Sequence, residues 1–170
     1  IYSFFLLLLA VLFCTCQSQR STANLSKNTA RIAFYNVENL FDTVDDPKHA
    51  DEDFTPKGRQ EWTTERYDKK LAQIAKVIEA MAFPDLIGLC EVENRKVLND
   101  LLKNNKLKDQ KYDIVHFDSP DYRGIDVALI YDSKQFKVKG VEPISVDIPE
   151  NIEPDYTTRD ILLAFGIYKK

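Results

Sequence analysis

Two stretches of the chain carry an apolar run straight into an oxygen-bearing side chain: Ile32-Ala-Phe-Tyr-Asn36-Val-Glu-Asn-Leu-Phe41 and Asp85-Leu-Ile-Gly-Leu-Cys-Glu91-Val-Glu-Asn94. A carboxylate that follows Leu86-Ile-Gly-Leu-Cys is costly to bury unless it is paired or holds a metal. Asn36 and Glu91 are hard oxygen donors, suited to Mg2+, Mn2+ or Ca2+. Taken singly, an Asn at the end of a strand is usually a turn former, so Glu91 is the more informative of the two. Together they predict strand ends that build a divalent-metal site in a hydrolase.

The elements that must position these groups follow from hydrophobic spacing. A strand is predicted over 31–36, then an acidic, Pro- and Asp-rich solvated loop over 42–58. A helix follows over 63–82, with Leu71, Ile74, Ala75, Val77 and Ile78 at helical spacing, Thr63 or Thr64 as cap and Pro84 at the exit. The next strand spans 85–90. Asn94 caps a second helix through 102, and the Lys/Asn run 103–111 reads as a solvated turn. Strands at 112–117, 125–131, 135–146 and 159–167 complete the chain. The order, βαβα and then consecutive strands, predicts an α/β fold with helices on one face of a sheet and a second layer on the other.

The chain has 170 residues, 44% hydrophobic and 29% charged, ordinary for one soluble domain. Its formal net charge of −4 argues against a surface made to hold a long polyanion, which needs a basic stripe. A phosphoester of modest size is the expected substrate, with nucleic acid less favoured, and no stable protein partner is implied. There is no G-x-x-x-x-G-K-[ST] loop, H-E-x-x-H helix, C-x-x-C pair or G-x-S-x-G elbow, which removes support for nucleotide-triphosphate, zinc-protease and serine-hydrolase chemistry. The acidic stretch from Asp42 to Asp53 lacks the central Gly and terminal Glu of an EF-hand.

Residues 1–18 form an apolar leader, read as a signal peptide or lipoprotein leader truncated at its start, since the chain begins at Ile1 without Met or a basic stretch. Cleavage after Ser18 and lipidation of Cys16 are both open. Export is expected, to a periplasm, the extracellular space or a lipid-anchored position at the cell surface, with membrane contact only through that N-terminal anchor. Residues 19–29 read as a polar linker and 30–170 as the domain. The few cysteines leave no disulfide framework, so the core must supply the stability.

Phe34-Tyr-Asn36-Val-Glu-Asn39-Leu-Phe, Gly88-Leu-Cys-Glu91-Val-Glu-Asn94, Arg123-Gly-Ile-Asp-Val-Ala-Leu-Ile-Tyr131 and Thr158-Arg159-Asp160, in this order and spacing, resemble the N-terminal half of the endonuclease/exonuclease/phosphatase (DNase I-like) superfamily. The resemblance covers 31–167. It implies a four-layer αββα sandwich, of which the chain supplies roughly the first half, and a Mg2+ or similar ion at the strand ends. It also implies roles: Glu91 as metal carboxylate, Asn36 holding the metal and the scissile phosphate, Arg159 on a central strand aimed at the phosphate, and Arg123 as a further substrate contact. These would make a nuclease, phosphodiesterase or phosphatase. Tyr122 and Asp126 belong to the same substrate-side loop.

Other residues read as structural. Glu38 and Asn39 shape the loop around Asn36, and Cys90 stands where many members have Gln and reads as a small buried hydrophobe. His116 lies within an apparent strand and His49 in a loop, neither in a catalytic constellation. The resemblance places a general-acid/base His, an Asp-x-Asn segment and a closing Asp-His pair beyond Lys170. The chain alone is therefore expected to be an inactive N-terminal portion of an enzyme; the alternative is a surface-exposed binding protein with a degenerate hydrolase fold.

Overall fold

A computed structural model describes residues 29–149 and 156–169, so the expected leader 1–18 and nearly all of the linker 19–29 lie outside the described residues. The fold is mixed α/β with two sheets. The larger has four strands in the order β1-β2-β4-β3: β1 (Ile32–Leu40), β2 (Leu86–Val92), β3 (Tyr112–His116) and β4 (Asp126–Asp132). β1 runs parallel to β2, while β4 is antiparallel to both β2 and β3. The smaller sheet is the antiparallel pair β5 (Phe136–Ile144) and β6 (Ile161–Tyr168).

Two helices cover one face of the larger sheet. In α1 (Thr64–Ala80) the buried residues Tyr67, Leu71, Ile74, Ala75 and Ile78 recur at helical spacing, and the Thr63 side chain accepts a hydrogen bond from Arg66 N–H. In α2 (Arg95–Leu102) Asn94 accepts from Val97 N–H, as its cap role predicted, and Val97, Leu98 and Leu101 are buried. These residues meet Val37, Ile87, Leu89, Val92, Ala128 and Ile130 of the sheet in one core. Each fully buried aliphatic side chain contributes about 1.5–3 kcal/mol relative to exposure.

The two loops expected to be solvated are pinned from within. Leu107, in the Lys/Asn run, is buried in the core. The 42–62 segment is held by an aromatic stack, Phe41 on Phe54 at 4.2 Å with Trp62 edge-on to Phe54 at 6.0 Å, and Trp62 Nε1 donates to the Phe41 carbonyl. Asp42 and Asp51 in this loop are buried, not solvated. Loop N–H groups need acceptors once they leave water, and these carboxylates provide them: Asp42 accepts from Val44 N–H and Asp51 from Asp46 N–H.

The other face of the larger sheet looks toward β5 and β6. Between them runs an apolar groove of about 430 Å3, lined by Phe34, Gly88, Leu129, Leu162 and Ala164 among others. Ile161, Leu163, Phe165 and Ile167 of β6 are exposed. Among the described residues no helix is long and apolar enough to cross a membrane.

Candidate active site

Along β2, alternation sends Ile87 and Leu89 into the helix-side core, and would send residue 91 after them. Glu91 avoids that fate because the pairing slips: Cys90 opposes Val127 and Val92 opposes Asp126, so Glu91 is the extra residue of a β-bulge. Its φ of 65° lies in the left-handed region, which one class of bulge uses for its extra residue. Val92 then takes the core position, and the carboxylate emerges on the face away from the helices.

β1 mirrors this slip. Asn36 pairs with Cys90 and Leu40 with Val92, so Val37, Glu38 and Asn39 bulge around Glu91. Glu38 and Asn39 have φ of 58° and 60°. Val37 anchors the bulge in the core, and Lys70 Nζ donates to the Glu38 carbonyl. Three left-handed, non-glycine residues within one corner mark a backbone held in shape by its contacts.

Those contacts are specific. Asn36 Nδ2 donates to Glu91 Oε1 at 2.9 Å, and Asn39 N–H to Glu91 Oε2 at 3.1 Å. Asn36 Oδ1 accepts from Glu38 N–H at 2.7 Å. Arg159 Nη1 stands 3.9 Å from Glu91 Oε1, and its Nε 4.0 Å from Asp121 Oδ2. Asp121, with 3% of its side chain exposed, also accepts from Arg123 N–H at 3.0 Å and Arg123 Nε–H at 3.3 Å. Burial works against the charge of Arg123, but its hydrogen bonds to Asp121, with the negative field of Asp121 and Glu91, outweigh that and raise its pKa.

The structure thus brings together Asn36, Glu91, Arg159 and Arg123. It places Arg159 differently from the expectation, in the extended segment 156–160 just ahead of β6 and not on a central strand. Asp121 escaped sequence reasoning. Its signal was the local pattern Asp-x-Arg-Gly, an Asp that caps the N–H two residues on.

The loop that carries Asp121 and Arg123 is fastened at its ends. Asp126 Oδ1 accepts from Ser119 Oγ and N–H at 2.6 and 2.8 Å, and its Oδ2 lies 2.9 Å from His116 Nε2. Gly124 closes the loop at φ 66°, where a side chain would meet the His49 ring at 2.7 Å, and Ala50 N–H donates to the Tyr122 carbonyl. His116, Asp118 and Asp126 come close enough to be considered as metal ligands. However, His116 Nε2 is spent on Asp126, and Asp118, 90% exposed, stays 4.0 Å from Nδ1. The group reads as the fastening of the loop, with His116 at the end of β3 held against Asp126.

Below the corner, Glu93 accepts from Asp42 N–H. Burial chiefly, with the Asp42 and Asp51 charges, raises its pKa to about 7, against the pull of that hydrogen bond. Cys90 is half-buried, and burial, then Glu91, pushes its thiol pKa up, which makes it a poor nucleophile.

Residues 31–170 match the Endonuclease/Exonuclease/phosphatase family. The chain belongs to that family. No curated protein matches it. Among solved structures it is similar to ANGEL2, described as a 2',3'-cyclic phosphatase, with 16% identity, a TM-score of 0.40, and coverage of 71% of this chain and 32% of that one. The chain therefore spans about a third of the length of that relative.

The donor set fits a hard divalent cation. Each Glu91 oxygen accepts one protein hydrogen bond and keeps lone-pair capacity, as does Asn36 Oδ1. Among the described residues no thiolate or free imidazole joins them to favour a softer ion.

Proposed function

We propose that the protein is a divalent-metal-dependent phosphoester hydrolase, exported from the cell that makes it. The observation that carries the reading is the corner in which two bulged strand ends present Asn36 and Glu91 beside Arg159, in a chain of a family named for phosphoester-cleaving enzymes.

Glu91 and Asn36 would hold the cation, with Mg2+ the first choice and Mn2+ or Ca2+ acceptable to the same oxygens. When bound, such an ion supplies Lewis-acid neutralisation of charge on phosphoryl oxygens. The chain's own residues do the rest of the binding. Asn36 fixes the Glu91 carboxylate through its amide N–H, and the Asn39 N–H holds the other oxygen, so the ligand geometry is set before substrate arrives. Arg159 and Arg123 provide fixed positive charge for the phosphate, where it offsets the negative charge that grows in the transition state. The acidic overall balance favours a compact phosphoester over a long nucleic acid.

The test is hydrolysis of bis-p-nitrophenyl phosphate by the full-length protein in Mg2+ and after chelation. Metal-dependent turnover that vanishes in Glu91→Gln supports the reading. A folded protein without activity under either condition would make it a binding module. Export is tested by N-terminal sequencing of the protein recovered from cell fractions; an intact residue-1 leader on cytoplasmic material would remove that part.

A further inference from the structure

Asp121 is nearly inaccessible, yet among the described residues no neighbouring strand or helix end neutralises it; its compensation comes from arginines reaching it from two directions. Arg123 wraps it from its own loop, donating through N–H, Nε and Nη2, the last to Oδ2 at 3.4 Å. Arg159 approaches from the segment ahead of β6 and spans the gap to Glu91: its Nε faces Asp121 Oδ2 at 4.0 Å while Nη1 faces Glu91 Oε1 at 3.9 Å. The loop beneath is fixed by Asp126, Ser119 and Gly124, so the carboxylate is a rigid anchor.

We propose that Asp121 is a positioning residue that sets the guanidinium groups of Arg123 and Arg159 as a two-arginine clamp for one phosphoryl group beside Glu91, an inference that rests on the hydrolase reading. The charges support it. Glu91, Asp121, Arg123 and Arg159 sum to zero, so the corner turns anion-attracting once a divalent cation joins Glu91. Without Asp121, Arg159 has Glu91 as its one carboxylate partner among the described residues; it would collapse onto the carboxylate that the cation needs, and Arg123 would swing free. Asp121 touches neither reactant. It acts through the arginines.

The experiment uses the full-length protein and Asp121→Asn, which keeps the shape and removes the charge. Calorimetry with inorganic phosphate in Mg2+ should show affinity weakened on the order of tenfold, the scale of one charge-assisted contact. In turnover, KM should rise more than kcat falls. In an Arg123→Gln/Arg159→Gln background the same substitution should add little, because its path runs through both arginines. The Arg159 Nε–H resonance should shift and exchange faster in Asp121→Asn. An unchanged Arg159 resonance with phosphate affinity within about twofold overturns the proposal. Should wild-type protein bind no phosphate, the hydrolase reading falls while the Arg159 resonance still decides the positioning role. Should Asp121→Asn not fold, Arg123→Gln leaves the carboxylate to Arg159 alone and should slow exchange of that same resonance; no change there equally overturns it.

Discussion

Glu91 is an L-residue held at φ 65°, and this strain can be measured. Ordinarily Gly is less stable than Ala inside a strand by about 0.5–1 kcal/mol, because it loses more backbone freedom on folding. A left-handed site reverses the order, since a side chain there costs roughly 1–2 kcal/mol that Gly does not incur. Both Glu91→Ala and Glu91→Gly lose the hydrogen bonds from Asn36 Nδ2 and Asn39 N–H, each worth about 1.5–3 kcal/mol when the acceptor is charged. Glu91→Ala keeps the strain and should cost about 3–6 kcal/mol in all, whereas Glu91→Gly should cost about 1 kcal/mol less. With a urea slope of roughly 1–3 kcal/mol/M, the two midpoints should differ by about 0.3–1 M, Gly above Ala. Equilibrium urea unfolding of the full-length protein with chelator present reads this directly, and neither variant should show metal-dependent hydrolysis. If Ala is as stable as Gly, the bulge does not hold Glu91 in the left-handed region and the account of how the carboxylate leaves the core is wrong.

Gly124→Ala meets both a positive φ and the His49 ring, so it should lose about 1–3 kcal/mol of stability in denaturant unfolding and raise KM by loosening the Arg123 loop; wild-type behaviour would contradict the loop's fastening. Ile87→Ala, in the centre of the helix-side core, should cost about 2–5 kcal/mol in the same assay. Asp100 has its pKa lowered: burial pushes it up, but hydrogen bonds from Lys96, Lys103 and Tyr67 prevail. A depressed carboxyl stabilises above its unfolded value of 3.8 and loses that contribution as pH falls through the folded value, so Asp100→Asn should cost about 1 kcal/mol at pH 7 and nothing well below 3.8. Thermal melts across pH check this. The exposed Ile161, Leu163, Phe165 and Ile167 predict that an expressed 30–170 segment self-associates; a monodisperse, cooperatively melting monomer in size exclusion would refute it.

The helices were legible because their determinants are local: Thr63 and Asn94 cap, and the apolar spacing continues from Tyr67 to Ile78 and from Val97 to Leu101. Strand order along the chain was equally readable, since each strand is a short apolar run. What sequence spacing alone left open was which groups lose water. Asp42, Asp51 and Asp121 look like solvated loop carboxylates, yet each is buried by demand from elsewhere: loop N–H groups for the first two, arginines on separate segments for the third. Such demand depends on contacts far apart in the chain and leaves only an Asx-like spacing as a trace.

The site's position was visible in a subtler way. In β2 the core residues fall at 87, 89 and 92, an odd step after an even one. In a strand of period two, that odd step can be satisfied only by an inserted residue, and the inserted residue is the one whose burial would cost most, Glu91. The hydrophobic pattern and the charge therefore state the same constraint twice: apolar neighbours hold the register on both sides, and the slip between them expels the carboxylate to the face where Asn36 stands. The strain at position 91 is offset by the two hydrogen bonds that only a carboxylate there accepts, from Asn36 Nδ2 and Asn39 N–H, so the Gly–Ala comparison, in which both variants have lost those bonds, isolates the strain itself.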